Sequence, residues 1–473
     1  MTAFLPPWLL LAMAVRSDVE EAIRRVAEAY ALVEREAAEP PAPEKVFYEG
    51  VIPGMLRRLD PHSVFFSPEQ FEQLKQLQES RTKGFGSVVS VLPGRVIVLQ
   101  ALPGTPSARG GLEPGDEILA INGIRLDRLD MEQLVALLGR SRQHEVKLDV
   151  RKPGNARILQ LVLTPEEMEA PSVERAFLLK PGIGYLRVSS FDAETGKQIR
   201  DAIERLGGSG LAGLVLDLRN NPGGLLPAAL ETASLFLEPG QTILTVRGRA
   251  VEAREEKTPA GAQPYRFPLA VLVNGRSASA AEIVAGSLQD HKRAVIVGEP
   301  TFGKGLVESV YPLSEGTGLA LTTAYYYTPS GRSIQRPLLE GALADPRRPG
   351  RGGIQPDVVV YPESLTRLQM ALDASGAFTS FATEYVRRNP QLSEQFEVTP
   401  ELLDDFRVYL AQRKIQPGIG EWSAVRPWIE NRLKTEIFNL ALGVAKGDEV
   451  EAQRDPQIQA ALRAVESGGR ASR

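Results

Sequence analysis

The sequence predicts a multidomain α/β protein, and three observations predict it. Between residues 172 and 360, apolar strands alternate with helices. Ahead of that stretch, from Lys83 to about Met168, apolar and polar residues alternate and Gly/Pro turns recur at short intervals, which marks a small β-rich module. Both flanks carry helical periodicity instead. The expected division is a possible signal or anchor segment (1–16), an N-terminal helical region (17–79), the β-rich module (80–168), the α/β core (169–362) and a C-terminal helical region (363–473).

Ala3 to Val15 is uncharged and mostly apolar, but Pro6 and Pro7 interrupt it and it is too short to span a bilayer, which takes about 20 residues. Ala12-Met13-Ala14 fits a small-x-small cleavage site, yet no Lys or Arg precedes the apolar run. An export signal and a buried N-terminal segment both remain open. Ser17 to Glu36 reads as an amphipathic helix: Val19, Ile23, Val26, Tyr30 and Val33 recur at steps of three and four, and Ser17 with Glu20 has capping-box spacing. Glu39 to Lys45, rich in proline, breaks it. A second helical patch around Leu56 leads into the turn Leu59-Asp60-Pro61-His62-Ser63, and Pro68 to Gln78 is a third helix. Simple packing is the default reading of such helices.

In the β-rich module, Asp130 to Arg140 supplies one helix, with Met131, Leu134, Leu137 and Leu138 on a face. The core then offers strands at Gly184–Val188, Leu214–Leu218, Leu269–Val273 and Ala294–Gly298. Helices are expected at Ala193–Leu206, Leu226–Phe236 and Ser279–Asp290. Near-continuous apolar strands imply a mostly parallel sheet covered on both faces. From about Pro362 the chain is helical and rather polar, punctuated by Pro390, Pro400 and Pro417, and the stretch after Asp448 is expected to fray.

Composition narrows the function classes. The net charge of −4 shows no basic stripe, which argues against nucleic acid as a partner. The absence of cysteine excludes thiol catalysis, disulfides and thiolate metal sites. No His/Asp/Glu cluster has metal spacing, so neither metal nor cofactor is expected.

The chemistry concentrates in Val271 to Val307. Ser279 lies in a turn of small residues at the start of a helix, and Lys304 lies between two glycines. Serine is a poor nucleophile until a base takes its proton. The chain has only three histidines, so a Ser–Lys pair is the reading left, and it points to peptide-bond hydrolysis. Ser277 is the alternative nucleophile, and helix capping is the structural alternative for either serine. A lysine is protonated near neutral pH unless apolar surroundings disfavour the ammonium, and Thr301, Phe302, Gly303, Gly305, Leu306 and Val307 are largely apolar. Two other patterns lead nowhere. Gly298 to Lys304 fits most of a phosphate loop, but Gly305 replaces the Ser/Thr that would hold magnesium and a strand is expected next. Gly208, Gly210 and Gly213 match the dinucleotide spacing, but ahead of a strand rather than after one.

NGRSASAAEI followed by TFGKG resembles the centre of the C-terminal processing (tail-specific) protease family. LDPHS, LDLRNNPGG (Leu216–Gly224), YYTPSGRSIQ (Tyr326–Gln335) and GIQPDV (Gly353–Val358) resemble further stretches of it in the same order, over about residues 45–360. GLEPGDEILAING resembles the hallmark of PDZ domains, which bind a peptide C-terminus as an added strand. The resemblance implies a PDZ module followed by a crotonase-like ββα-spiral protease core. It implies a serine endopeptidase with Ser279 as nucleophile and Lys304 as general base, acting through an acyl-enzyme on protein substrates with accessible C-termini. The oxyanion hole would join the N–H of Ala280 to one from Gly223 or Gly224. The terminal carboxylate of a bound tail would rest on Gly84-Phe85-Gly86-Ser87. Dimerisation through the terminal helical regions and a location outside the cytoplasm (periplasmic or secreted) also follow from it. In this family a glutamine often stands where this chain has Glu308, and a carboxylate there favours the ammonium form of the lysine. Three outcomes are open: Glu308 is protonated, turns away, or makes the enzyme alkaline-dependent or gated. The rival from another class is an inactive PDZ-containing binding or scaffold protein.

Overall fold

Two compact units make up the chain, residues 1–73 with 308–322 and residues 74–307 with 323–473. The computed structural model describes residues 7–78, 81–169, 171–336 and 352–468.

At the centre of the larger unit is a six-stranded sheet. Val173–Lys180 pairs antiparallel with Ile183–Val188. Gly213–Asp217, Leu269–Val273, Val295–Gly298 and Val358–Val359 then follow in parallel. Every residue of the three middle strands is buried, as expected when helices cover both faces. On one face Leu214, Leu216, Val271 and Ile296 pack with Ile199, Ala229 and Val284 from helices Thr195–Leu206, Leu226–Ser234 and Ala280–Asp290. On the other, Val215, Ala270, Leu272 and Val297 meet Ile458, Ala461, Leu462 and Val465. These last belong to helix Pro456–Glu466, whose N-cap Asp455 accepts from two backbone N–H groups.

The expectation that the chain frays after Asp448 is therefore wrong. The final helix is a layer of the core, so close that a Cβ on Gly213 would lie 2.0 Å from Val465 Cγ1. The missing side chain of Gly213 is what permits that approach.

In the β-rich module, Ser87–Leu92, Arg95–Ala101, Glu117–Ile121, Val146–Arg151 and Ile158–Leu163 form an antiparallel sheet, with Ser87–Leu92 at one edge. Val96, Val98, Ile118 and Val150 pack under helix Met131–Ser141 through Leu134 and Leu137. Asp130 and Gln133 form that helix's capping box. A separate pairing of Arg81–Gly84 with Glu166–Glu169 ties the entry of the module to its exit. The C-terminal helices Ala377–Arg388, Pro400–Gln412 and Ile419–Ala441 enclose an aromatic core of Phe378, Phe381, Phe406, Tyr409, Trp422 and Trp428. Leu99 of the β-rich module enters that core.

In the smaller unit, the first helix runs Pro7–Glu36, ten residues longer than the periodicity predicts. Pro7 stands at its first position, where proline's missing N–H costs nothing. Val19, Ile23, Val26 and Val33 are exposed along it. The Leu59–Ser63 turn is built on Asp60, whose carboxylate accepts from the His62 and Ser63 N–H groups (2.7 and 2.8 Å) and the Ser63 hydroxyl (2.8 Å). Burial works against this charge, but those hydrogen bonds hold its pKa below the ordinary value. Among the described residues no helix is long and apolar enough to cross a membrane.

Candidate active site

Ser279 closes the turn between strand Leu269–Val273 and helix Ala280–Asp290. Its backbone has φ 53° and ψ −115°, outside the left-handed helical well that a non-glycine residue tolerates. Such strain costs of order 1–3 kcal/mol and persists only where the surroundings impose it. A strained strand-to-helix turn is also how a nucleophilic serine is lifted clear of a sheet.

The surroundings here are specific. Asn221 is fully buried; its carbonyl accepts from the Ala278 N–H (2.9 Å), and its amide donates to the Val188 carbonyl (2.9 Å). Ser277, also fully buried, donates to the Leu218 carbonyl (2.7 Å) and accepts from the Asn274 N–H (2.9 Å). Ser277 is thus a structural pin between two strand ends, and the alternative of Ser277 as nucleophile falls. Ser279 occupies the N-cap position, yet its hydroxyl makes no capping bond; the Glu282 N–H goes to the Ser279 carbonyl (2.9 Å) instead.

Glu282 is the residue that sequence reasoning missed. Fully buried, it gathers the whole site. Its Oε2 accepts from the backbone N–H of Ser279 and of Lys304, each at 2.9 Å. Its Oε1 accepts from the Gly303 N–H (2.7 Å) and the Thr301 hydroxyl. Burial pushes its pKa above the usual carboxylate range, while the hydrogen bonds from Thr301, Lys304, Gly303 and Ser279 oppose that rise. Three backbone N–H groups and a hydroxyl converge on its two oxygens, an arrangement that favours the ionised form. The signal was in the sequence: Ser279-x-x-Glu282 is capping-box spacing, the pattern already noted for Ser17 and Glu20.

Lys304 is half-buried between two buried glycines, and Phe302 is half-exposed. The lysine segment is clamped by the two closing motifs. Gln335 accepts from the Gly305 N–H (3.0 Å), and the Arg336 N–H donates to the Gly303 carbonyl (2.9 Å). Thr301 and Ile354 exchange hydrogen bonds (2.6 and 3.1 Å). Gly305 is needed for this threading, since a Cβ there would sit 2.4 Å from the Gln335 nitrogen. After Lys304 the chain continues as strand Leu306–Pro312, not as a phosphate-binding helix. Glu308 is exposed on that strand and belongs to the smaller unit.

The glycine pair ends the Leu216–Gly224 motif. Gly223 backs directly onto the Ser279 turn: a Cβ would lie 2.7 Å from Ser279 Cβ and 3.0 Å from the Ala280 nitrogen. Its own N–H is taken by Asn221 Oδ1 at 2.8 Å. Gly224 bridges to Phe191, through bonds that use the Gly223 carbonyl and the Leu225 N–H. The N–H groups of Gly224 and Ala280 have no acceptor among the described residues.

Beneath the glycines lies a desolvated charge network. Asp217 accepts from Tyr185 Oη (2.7 Å) and from Arg219 (2.6 Å), and Arg219 reaches Asp455 (2.7 Å) and Gln457 (2.8 Å). Burial, together with the Asp217 charge, pushes the Tyr185 phenol well up.

The segment Gly84–Ser87 lies in the β-rich module, away from the Ser279 turn in sequence and element. Gly84 ends the strand Arg81–Gly84, and Phe85 packs into the module's core. Gly86 has φ 72°, and its carbonyl accepts from the Leu102 N–H (2.8 Å).

Known proteins resemble this chain in two regions. Residues 182–360 match the family described as Peptidase family S41, and residues 97–152 match the PDZ domain. A carboxyl-terminal-processing protease of Synechocystis is 36% identical, covering 60% of this chain and 67% of its own. One from Picosynechococcus is also 36% identical, covering 65% and 71%. Carboxyl-terminal-processing peptidase 2, chloroplastic, of Arabidopsis thaliana is 34% identical, covering 59% and 56%. Among solved structures, a photosystem II D1 C-terminal processing protease is 29% identical and covers 73% of this chain and 90% of its own, with a TM-score of 0.42.

Proposed function

Since this chain belongs to the carboxyl-terminal processing proteases of peptidase family S41 and carries a PDZ domain, we propose that it is a serine endopeptidase working through a Ser279–Lys304 dyad on the C-terminal regions of protein substrates. The observation that carries this reading is the shared Glu282 carboxylate, which draws the backbones of Ser279 and Lys304 onto one oxygen. In the reaction, Ser279 Oγ attacks the scissile carbonyl carbon as its proton passes to Lys304 Nζ. The tetrahedral oxyanion is held by the N–H groups of Ala280 and Gly224. Lys304 then protonates the leaving amine, and water hydrolyses the acyl-enzyme by the reverse proton path. Gly223 serves by its lack of a side chain rather than as a donor.

The substrate tail adds as a strand to the free edge Ser87–Leu92, with its carboxylate on the backbone of Gly84–Ser87. Glu308, on an exposed strand, tunes the pH range rather than taking part in bond making. The exposed stripe of Val19, Ile23, Val26 and Val33 is the contact for a second copy of the chain, which sedimentation of Ile23→Glu against the parent would test. Export from the cytoplasm fits the family resemblance and the apolar N-terminus.

The deciding experiment is cleavage of an unstructured protein with an apolar C-terminus, across roughly pH 6–10, a span that ends just short of the free lysine value of about 10.4. Wild-type activity lost in both Ser279→Ala and Lys304→Ala is the expected outcome. An active Lys304→Ala would remove the dyad, and an inert wild type that still binds C-terminal peptides would favour the scaffold reading. A Glu308→Gln profile identical to wild type would remove Glu308 from the pH dependence.

A further inference from the structure

Away from the Ser279 turn, a cleft of about 470 Å³ opens where the β-rich module meets the C-terminal helices. Arg95, Arg151 and Lys152 line it from the module, and Arg387 and Arg413 from the helices; the acids Glu117 and Glu384 face them. These charges do not cancel within the cleft. Lys152 is committed to Glu113 and the buried Asp116, both at 2.9 Å. Glu117 binds Arg151 through Nε (3.0 Å) and stands 3.7 Å from Arg95. Glu384 stands 3.9 Å from Arg413 but also 3.4 Å from Arg388, which lies outside the cleft. Arg387 has no carboxylate partner among the described residues, and its guanidinium lies over Gly154, where a Cβ would meet it at 3.0 Å.

The guanidinium groups are held in place. Arg95 donates to Ser380 Oγ (2.5 Å), and Arg413 is stacked 3.5 Å above the Tyr409 ring. The Tyr409 hydroxyl beneath is buried, with no partner in hydrogen-bond geometry among the described residues. Four positioned guanidinium groups facing two shared carboxylates leave positive potential in a concave, partly desolvated space, on a chain whose net charge is −4. Planar forks of this kind match phosphate oxygens two at a time.

We propose that this cleft binds a small, multiply charged phosphate group, clasped by Arg95 and Arg151 on one side and by Arg387 and Arg413 on the other. The bound anion bridges the PDZ domain to the C-terminal helices. The site is independent of the Ser279 chemistry, so the two readings stand or fall separately.

The test is calorimetric titration of the full chain with pyrophosphate at roughly 50 mM salt, where screening is weak, alongside thermal melts. Saturable one-to-one binding and a raised melting temperature are expected. Arg387→Gln should weaken binding by about tenfold, since a charge-assisted bond is lost, and the double variant with Arg413→Gln should abolish it. Both positions are exposed, so each variant is accepted only if its unliganded melting temperature matches the parent's. Arg388→Gln, the same charge change on the same helix outside the cleft, removes one partner of Glu384 and should weaken binding far less than Arg387→Gln. Phosphatidylglycerol vesicles, with phosphatidylcholine vesicles as blank, separate a lipid headgroup from a free phosphate compound: sedimentation that needs Arg387 and Arg413, without pyrophosphate binding, assigns the site to the headgroup. No saturable binding to either probe, or an equal loss in Arg388→Gln, overturns the proposal.

Discussion

Ser279 is held by backbone groups, not by its own side chain, so its neighbours can be altered while the hydroxyl stays chemically intact. Gly223→Ala puts a methyl 2.7 Å from Ser279 Cβ and should displace Ser279 and the Ala280 N–H together. A loss in kcat of about a hundredfold or more is expected, the scale of a lost oxyanion donor, with the far-ultraviolet circular dichroism unchanged; a variant of normal kcat would show that the glycine is not needed for close approach. Glu282 makes a different prediction. Its raised pKa means that its contribution to stability is fully present below the ordinary glutamate value and is lost as pH rises through the raised one. Activity runs the opposite way, because protonation turns one acceptor position of the carboxylate into a donor and breaks the four-donor set that holds Ser279, Thr301, Gly303 and Lys304 together. The rate should therefore fall on the acid side at a pH above the usual glutamate range. Glu282→Gln should be slower and should lack that acid limb; retention of the same limb would assign it to another group.

Among the elements, the C-terminal helices stand on their aromatic core rather than on the sheet. Phe406 is fully buried, with ring centroids 5.0 Å from Phe378 and 5.1 Å from Phe381. Phe406→Ala should cost about 3–5 kcal/mol, read from chemical denaturation followed by tryptophan fluorescence, since Trp422 and Trp428 report on that core. A loss below 1 kcal/mol would mean that the cluster repacks. Most elements were legible from periodicity: Pro68–Gln78, Leu269–Val273 and the helix after Ser279 fall where their patterns put them. The antiparallel strand Val173–Lys180 was not, because its alternation is half-polar and its partner is set only by tertiary pairing.

For the whole molecule, the last helix closes the protease core on the face opposite Ala280–Asp290. A chain ending at Gly443 would uncover Val215, Ala270, Leu272 and Val297 and leave Arg219 without Asp455. It should be insoluble or lack cooperative melting, whereas a frayed tail would be dispensable. Recovery of a soluble chain with native melting would contradict the three-layer reading.

The sequence alone determined the fold class, the order of modules and the two candidate catalytic residues. Those depend on local period, on turn chemistry and on the short list of side chains able to serve as nucleophile and base. Tertiary structure decided what depends on distant groups sharing one space. It separated a structural Ser277 from an uncapped Ser279, and it distinguished the bonded N–H of Gly223 from the unbonded one of Gly224. It set Glu282 at the centre of the site and seated the final helix on the sheet. A hydrogen bond between residues far apart in the chain leaves no period to read, and a helix built of alanine and glutamine hides the face it buries until its partner is known.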